Sequence, residues 1–475
     1  MAVPTLVQML ASTTGLFGGY GLMGTGPYKY TLPNVTKTGN ALLVACSYDN
    51  GVTGLSFSDN INGAWPAAIF KLTNTNGNSV NSAFYLFTGI ANPSGVPTTV
   101  TATFTGGPPA AFQWNIFEFA NVTGHNGTHG TAAVAGASLA TGSFTPGNNN
   151  ANGGNLVLSY FATATLLSST TGPNPWVADS GHTLLEADMT GFYQGATGGY
   201  CHATQSFQQN TSAAINPTMV ATGDTTNAYN CLAIALTAGS AGTGPPSSGI
   251  YVAKVFHQSV TVAAASTTLK LQIPWTGNLR FVGAYTGQSQ VFTSLTDSDS
   301  YSWTNEAAAV DDLWAYATNT APDTNATLSI AFGTQSGGSN FTFRCYDIWN
   351  AAASPYDNYV AGTASVTGTT TITSKPSITP VANASGLTIA GGGLVTGPGL
   401  TITAPSGAID DVTHYGGEVD NDNYDNADLH GHYYFPNNTI QNWSWTITSE
   451  SPNTFYYYAI TFLSSQGIPI WLVVG

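Results

Sequence analysis

Residues 39–65, GNALLVACSYDNGVTGLSFSDNINGAW, recur in outline as residues 277–303, GNLRFVGAYTGQSQVFTSLTDSDSYSW. Each stretch opens with Gly-Asn and an apolar run, places an aspartate 19 residues after the asparagine, and ends on a tryptophan six residues later. The matching residues stand 238 positions apart in every case: Asn40 and Asn278, Asp59 and Asp297, Trp65 and Trp303. A spacing this long predicts one fold that has been duplicated, and not a short-period solenoid.

Three further pairs of segments follow in the same order in both halves. They are Ala102–Phe104 with Ile330–Phe332, Phe117–Asn121 with Tyr346–Asn350, and Ala233–Leu236 with Ala459–Phe462. The shared order of apolar runs therefore extends over most of each half. Duplicated packing modules are usual in structural and adhesive proteins, so the repeat favours a role of that kind.

The chain is predicted to be all-β. Its apolar runs are short, rich in Val, Ile, Thr, Phe and Tyr, and broken by Gly, Pro, Asn and Ser, which is typical of strands and turns. In the run 113–119, Trp114 and Ile116 fall on one face of a strand and Phe117 and Phe119 on the other, so both faces should be buried. Many short strands in halves of about 230 residues predict two tandem jelly-roll-like β-sandwich domains.

The domain boundaries follow from composition. Residues 240–249 are rich in Gly, Ser and Pro, which is typical of a linker. They separate a first β-sandwich at 1–239 from a second at 250–465, and an apolar C-terminal tail follows at 466–475. Because the linker is short, we expect the two domains to lie side by side.

The composition argues against several classes of function. Charged residues make up 7% of the chain, against roughly 25% in ordinary soluble proteins, and the net charge is −15. An acidic chain with 8 Lys and Arg residues is unsuited to binding nucleic acid. No apolar run is long enough to span a bilayer. A surface of uncharged polar groups associates readily with neighbours, because little like-charge repulsion opposes contact.

Several segments carry a family resemblance. They are GNALLVACSYDNG (39–51), LSFSDN (55–60), TVTATF (99–104), FQWNIFEFANV (112–122) and YNCLAIALTAG (229–239). Together they resemble a repeated β-sandwich module that is frequent in phage virion structural proteins and in bacterial extracellular adhesins. The resemblance covers the first half well and the second half loosely. It implies a jelly-roll or concanavalin-like fold and a structural or adhesive role, and it carries no functional residues over.

The densest polar cluster lies near the C-terminus. Asp420, Asp422 and Asp425 alternate with amides as at the start of a calcium loop, so a Ca²⁺ site is one hypothesis. The glycine and glutamate of an EF-hand are missing from their positions, which favours a solvated acidic loop instead. His430 and His432 share one face of a strand, a geometry that zinc also uses, but no third ligand is evident. Apart from this Ca²⁺, we expect no cofactor.

Aromatic residues gather in the same region, and alternation along a strand sends half of each run outward. An exposed aromatic row would stack on sugar rings or fill a groove of a partner protein. The alternative is that these rings form the core between two sheets. The candidate contact residues, for partner proteins or glycans, are Trp443, Trp445, Tyr456, Tyr458 and Trp471.

No catalytic residue is predicted, and we expect a non-enzymatic protein. Glu118 and its counterpart Asp347 are each isolated within an apolar strand, whereas a glycosidase needs two carboxylates about 5–10 Å apart. Neither a GxSxG nucleophile elbow nor a Walker phosphate loop occurs. Cys46, Cys231 and Cys345 lie in apolar strands without metal-binding spacing, so buried free thiols are expected, with an inter-strand disulfide as the alternative.

Two functions agree with these observations. The first is a structural protein of a virion surface, such as a capsid decoration protein, head fibre or tail-fibre adhesin, which packs against copies of itself or other virion proteins and contacts host glycans. The second is an extracellular carbohydrate-binding adhesin of a cell. The first residues lack the basic and apolar segments of a signal peptide, so we expect either a removed signal or a route that avoids general secretion.

Overall fold

A computed structural model describes residues 3–15, 27–49, 52–74, 80–106, 109, 111–147, 154–163, 175–187, 201–223, 228–239, 242–262, 268–286, 292–306, 312–333, 339–394, 400–403, 409–415 and 427–466. Every regular element in these residues is a β-strand, which confirms the all-β prediction. Within the same residues there is no helix of the length and apolarity that crossing a membrane requires.

The strands of the first half are β1 (Thr5–Gly15), β2 (Tyr28–Thr31), β3 (Ala41–Asp49), β4 (Gly54–Asp59), β5 (Gly63–Ala64), β6 (Phe70–Asn74), β7 (Val80–Thr88), β8 (Thr99–Thr105), β9 (Ala111–Ala120), β10 (Val122–Ala135), β11 (Ser138–Ala140), β12 (Asn155–Thr163), β13 (Trp176–Ala178), β14 (Thr183–Ala187), β15 (Cys201–Gln209), β16 (Thr218–Ala221) and β17 (Ala228–Ala238).

The strands of the second half are β18 (Tyr251–Val262), β19 (Thr268–Gln272), β20 (Leu279–Thr286), β21 (Phe292–Asp297), β22 (Thr304–Asn305), β23 (Asp312–Thr318), β24 (Thr327–Phe332), β25 (Ser339–Trp349), β26 (Ala351–Ile372), β27 (Ser377–Ile378), β28 (Gly386–Leu394), β29 (Leu400–Thr403), β30 (Ile409–Tyr415), β31 (Ala427–Phe435), β32 (Gln441–Asn442) and β33 (Ser444–Ser464).

Strands of both halves form one ten-stranded sheet. Its order is β22-β23-β20-β25-β18-β1-β9-β3-β7-β6. Counted outward from the middle, β1, β9, β3, β7 and β6 of the first half correspond to β18, β25, β20, β23 and β22 of the second. The two middle strands, β1 and β18, are parallel, and Met9 to Ser12 lie opposite Lys254 to His257. The halves are therefore joined by a hydrogen-bonded seam as well as by the segment between them.

The remaining sheets repeat the same correspondence. Besides the smaller sheets β11-β16-β13 and β27-β32, they are β2-β8-β4-β5 and β10-β17-β12-β15-β14 in the first half, and β19-β24-β21 and β26-β33-β28-β31-β30 in the second. We call the first of each pair the small sheet and the second the large sheet. The irregularities also repeat: β1 is bulged between Leu6 and Gln8, and β18 between Val252 and Lys254. The repeat predicted from the sequence is thus present in the strand order.

The ten-stranded sheet is covered on both faces, and each cover contains one small and one large sheet. On one face, the core joins Leu42 and Phe281 of the ten-stranded sheet to the first small sheet and the second large sheet. On the other, Leu43 and Val282 pack against the first large sheet and the second small sheet. The two large sheets therefore lie on opposite faces, as a twofold rotation about an axis along the strands would place them.

Burial on both faces explains why the central strands carry large apolar residues on both sides. Trp114 and Ile116 belong to one core and Phe117 and Phe119 to the other, and all four are fully buried, as predicted. The counterparts in β25 are buried as well: Phe343, Tyr346 and Ile348. A strand with cover on two sides has no solvent face for polar residues to occupy.

The Gly/Ser/Pro segment is held against both halves. The Thr243 amide donates to Asn40 Oδ1 at 2.8 Å, and Asn40 Nδ2 donates to the Thr243 carbonyl at 3.1 Å. At its other end, Asn350 Nδ2 donates to the Gly249 carbonyl at 3.0 Å. The boundaries at 239, 250 and 465 remain predictions, and the tail from residue 467 onward lies outside the described residues.

The shared sheet predicts cooperative unfolding of the two halves. Breaking the seam would expose the apolar strands β1 and β18 on one edge each, so neither half should melt while the other stays folded. Differential scanning calorimetry of the full chain should give a single transition whose calorimetric and van't Hoff enthalpies agree. Two separate transitions, each with about half of the enthalpy, would contradict the shared sheet.

Candidate functional site

The repeated aspartate and tryptophan form a hydrogen-bonded staple at the end of β4. Trp65 Nε1 donates to Asp59 Oδ2 at 2.7 Å, and the amides of Ile61 and Asn62 donate to Asp59 Oδ1 at 2.8 and 2.6 Å. The carboxylate is 5% exposed, so these donors replace the water that it loses. The motif that first identified the repeat therefore holds a turn in place.

The second half has the same staple with an added cation. Trp303 Nε1 donates to Asp297 Oδ2 at 3.0 Å, and the Tyr301 amide donates to Oδ1 at 3.0 Å. Arg280, which stands where the first half has Leu42, lies 3.3 Å from Asp297 and 2.8 Å from Asp299. The buried guanidinium is thus paired with two carboxylates.

Glu118 and Asp347 are both completely buried next to the bulges of β1 and β18. Glu118 accepts hydrogen bonds from Gln8 Nε2 at 2.5 Å, Asn40 Nδ2 at 2.6 Å and the Lys37 amide at 2.8 Å. Burial raises the pKa of Glu118 above its ordinary value, and these donors oppose that shift. The Glu118 oxygens accept hydrogen bonds from three groups of the fold, and these bonds hold the β1 bulge in place. We call a buried carboxylate in this role a bulge lock.

Asp347 is held in the same way with different partners. The Gly277 amide donates to it at 2.6 Å and the Thr276 amide at 2.9 Å. Lys254, which takes the place of Gln8, lies opposite Asp347 in the register and donates to the Pro274 carbonyl at 2.7 Å. Burial lowers the pKa of Lys254 to about 8, and Asp347 opposes this shift. The two bulge locks differ in chemistry but not in position.

A third buried cluster lies between β9 and the first large sheet, and it has the richest chemistry among the described residues. His202 Nε2 lies 3.2 Å from Glu186 Oε1 and 3.2 Å from Asn115 Oδ1, and its Nδ1 lies 2.9 Å from Gln113 Oε1. Asn115 Nδ2 donates to Glu186 Oε2 at 2.9 Å and to the Thr204 hydroxyl at 3.1 Å. We call these five residues the His202 cluster.

Protonation in the His202 cluster is set by burial. Loss of hydration lowers the pKa of His202 to about 3, so the imidazole is neutral at pH 7. A neutral ring with its proton on Nε2 donates to Glu186 and leaves Nδ1 as an acceptor. Gln113 Nε2 has no partner among the described residues, and turning this amide so that its nitrogen faces Nδ1 satisfies both groups.

The chemistry available to the His202 cluster is limited by its position. A carboxylate beside an imidazole is an arrangement that general bases use. The side chains of His202 and Glu186 are only 1% and 3% exposed, however, and they lie between two packed sheets. The cluster therefore joins β9 to β14 and β15 at a place that is almost completely withdrawn from solvent.

Sequence reasoning missed this cluster. Its members are separated by up to 91 positions, from Gln113 to Thr204, and meet only because β9 packs against the sheet that contains β14 and β15. Glu186 interrupts the apolar run Leu184–Ala187, and an acid in such a run was the signal available, because a buried carboxylate needs partners. Glu118, an acid within the apolar run 112–119, carries the same signal.

The two histidines considered as zinc ligands are buried and hydrogen-bonded. His430 Nδ1 lies 2.9 Å from the Tyr458 hydroxyl, and His432 Nε2 lies 2.6 Å from the Pro33 carbonyl. Among the described residues there is no group of three His, Cys, Asp or Glu side chains that would hold a metal ion. The Ca²⁺ hypothesis concerns Asp420, Asp422 and Asp425, which all lie outside the described residues.

Three of the candidate contact residues are buried. Trp443 packs with Ile378 and Ala459, and Trp445 packs with Phe455, so both indoles belong to small cores on the outer side of the second large sheet. Tyr458 lies in the core between that sheet and the ten-stranded sheet. This is the core placement that the sequence left as the alternative, and it removes these three rings from surface contact.

The other two candidates have different outcomes. Tyr456 is half-buried and keeps part of its ring exposed. Trp471 lies outside the described residues. The cysteine prediction is confirmed for the three thiols that the structure describes, since Cys46, Cys231 and Cys345 are buried and unpaired by any disulfide.

Comparisons with known proteins identify no family. No protein-family model matches the sequence. No match was found among the curated proteins.

Two solved structures illustrate how distant the structural matches are. A xanthan lyase from Paenibacillus shares 9% identity at a TM-score of 0.19, over 98% of this chain and 51% of that enzyme, so the chain spans about half of its length. An oxalate decarboxylase from Bacillus subtilis shares 8% identity at a TM-score of 0.09, over 48% of this chain and 76% of that enzyme. Scores this low carry no argument about fold or function.

The two staples provide a matched test. Replacing Trp65 by Phe leaves the buried Asp59 carboxylate without one donor, which should lower the free energy of unfolding by about 1–3 kcal/mol. Replacing Trp303 by Phe should cost less, because Asp297 keeps its ion pair with Arg280. Urea unfolding of both variants measures the difference. Equal losses would show that Arg280 does not support the second staple.

The His202 cluster predicts a loss of stability in acid. The unfolded histidine titrates near 6.5 and the folded one near 3, so between these values only the unfolded chain takes up the proton. Stability from this group is complete above pH 6.5 and falls toward pH 3, by at most about 1.4 kcal/mol per pH unit. Glu118 and Asp347, whose pKa values are raised, contribute with the opposite sign in acid.

The His202→Gln variant separates these contributions, because it changes only the imidazole. The difference in unfolding free energy between wild type and variant, measured by urea titration at pH 7, 5.5 and 4.5, should shrink as the pH falls. A difference that stays constant over this range would mean that His202 is already charged in the folded protein.

Proposed function

We propose that this protein is a non-enzymatic structural component of a virion surface, a capsid decoration protein, head fibre or tail-fibre adhesin, that works by ordered packing. The observation that carries the proposal is the fusion of two copies of one fold through the β1–β18 seam. A catalytic protein needs one precise site, whereas a packing unit gains from presenting the same kind of surface more than once.

The arrangement of the sheets supports packing in two directions. The large sheets lie on opposite faces of the ten-stranded sheet, so equivalent outer surfaces point away from each other. A unit with two opposed contact surfaces joins neighbours on both sides, and closed or extended assemblies arise from such contacts according to their geometry. We propose in addition that each half is a jelly-roll-like sandwich module that the seam has merged with its copy.

The surface chemistry favours contact with neighbours. Charged residues are 7% of the chain, and three of its eight Lys and Arg residues, Lys254, Arg280 and Arg344, are buried. The remaining surface charge is sparse and mostly negative. Surfaces of this kind are held apart weakly by electrostatics, so partner proteins or further copies of the chain pack on them at a low cost in desolvation.

Several buried reactive groups of the described residues are committed to the fold. Glu118 and Asp347 hold the bulges, Asp59 holds a turn, and the His202 cluster joins two sheets. This commitment supports a non-enzymatic role without a cofactor. Ca²⁺ at Asp420, Asp422 and Asp425 stays a hypothesis about loop stability.

A second candidate function is an extracellular adhesin that binds carbohydrate. Tyr456 favours it, because this aromatic ring is partly exposed on the second large sheet and a sugar ring stacks on such a side chain. Host-surface glycans would be the ligand in either setting. Binding of glycans by a chain that stays monomeric and attaches to no particle would favour this second function.

The primary proposal predicts association that depends on concentration and only slightly on salt. Sedimentation velocity of the full chain should show larger species as its concentration rises, and raising the salt from 0.05 to 0.5 M should change the association constant less than about threefold, since few charges are involved. The same protein should be detected by mass spectrometry in purified particles of its source. A strictly monomeric chain that is absent from particles, or one that cleaves glycans with turnover, would overturn the proposal.

A further inference from the structure

An exposed aromatic patch lies at the lateral edge of the second half, where β23 and β26 approach each other. The rings of Tyr316 and Tyr356 are stacked, with centroids 5.7 Å apart and planes inclined by 6°. Tyr356 is 40% exposed, whereas Tyr316 is buried beneath it and packs edge-on against Phe462. The inner face of Tyr356 is therefore occupied, and part of its remaining surface is open to solvent.

A carboxylate lies next to this tyrosine pair. In the register of β22 with β23, Thr304 lies opposite Tyr316, and the Glu306 amide donates to the Trp314 carbonyl at 2.8 Å. Burial raises the pKa of Tyr356 most, and the negative charge of Glu306, followed by that of Asp357, adds to the shift. Glu306 also acts on Tyr316. No hydrogen bond or ion pair to the Glu306 carboxylate is present within the part of the chain that the structure describes.

The patch is held rigidly. Asp357 accepts hydrogen bonds from the amides of Val381 and Ala382, both at 2.9 Å, and from the Thr461 hydroxyl at 3.0 Å. A ring that is fixed from below, on a strand that Asp357 anchors, forms a preformed surface, so a ligand would lose little ordering entropy there.

The first half shows that the fold itself does not require this patch. Leu86 stands at the position of Tyr316 in the equivalent strand β7. There, the lateral edge is closed by apolar packing, with the side chains of Phe70 and Leu72 against Gly130 of β10. The tyrosines and Glu306 are therefore a feature of the second half alone.

We propose that this patch, formed by Tyr316, Tyr356 and Glu306, binds an arginine side chain presented by a partner protein. A guanidinium stacks on an aromatic ring and pairs with a carboxylate at the same time, which an ammonium group does less well. The proposal rests on the packing function and names the chemistry of one partner. Because both arginines of this chain, Arg280 and Arg344, are completely buried, the arginine comes from a different protein.

Binding of labelled peptides to the full chain tests this proposal without requiring assembly. Fluorescence anisotropy in 0.15 M salt would compare a peptide of alternating glycine and arginine with the same peptide carrying lysine. Tyr356→Leu and Glu306→Gln should each weaken binding of the arginine peptide about three- to fivefold, as expected for exposed cation–π and ionic contacts. Tyr356→Phe should bind like wild type, because it keeps the ring.

Two control variants separate the patch from general charge and surface effects. Asp179→Asn removes one negative charge in the first half, and Ile440→Ala removes an apolar side chain that is 55% exposed elsewhere. Both should bind the arginine peptide within twofold of wild type, and melting temperatures should confirm that every variant is folded. The lysine peptide should respond to Tyr356→Leu by less than twofold.

Three results would overturn the arginine site. They are an unchanged affinity in Tyr356→Leu, an equal loss in Asp179→Asn, and loss in Tyr356→Leu of binding to neutral oligosaccharides while the arginine peptide is unaffected. Failure of the chain to associate in sedimentation, with the peptide results as expected, would instead overturn the packing function and leave the arginine site standing.

Discussion

The parallel pairing of β1 with β18 is the interaction on which the rest of the structure depends. Without it, each half would end in a strand with a row of unpaired N–H and C=O groups, an edge that invites pairing with other chains. In the molecule each half satisfies the edge of the other. Because the two equivalent strands are parallel neighbours, the faces of the halves are exchanged across the seam, and this exchange places the large sheets on opposite sides.

The two halves keep the backbone pattern and differ in the polar groups that support it. Gln8 beside Glu118 corresponds to Lys254 beside Asp347, and both pairs stand at a bulge in the strand next to the seam. A buried carboxylate needs donors but not particular ones, so a neutral amide and a cation serve the same position. The lateral edges of the two halves also differ. In the first half this edge is closed by apolar side chains, whereas in the second half it carries an exposed tyrosine next to Glu306.

The sequence predicted those features of the fold that depend on residues close together in the chain. Alternation within 113–119 identified a strand buried on two faces, and the fixed spacing of Asp59 and Asp297 identified the repeat, because both features are written in adjacent residues. The shared sheet could not be predicted, since no short turn fixes the register of two parallel strands so distant in sequence. Trp443 and Trp445 showed the same limit: alternation indicated that they share a face, but the cover over that face comes from elsewhere in the chain.

Hydrogen exchange at the seam tests the central claim most directly. If β1 and β18 are paired, the amides of Met9 to Ser12 and of Lys254 to His257 lie in the middle of a sheet covered on both faces. Mass spectrometry of the exchanged full chain should then show protection equal to that of β3 and β20, which have a strand on each side. If the halves are independent sandwiches, half of the amides in β1 and β18 face solvent, and these strands will exchange as fast as the edge strand β26.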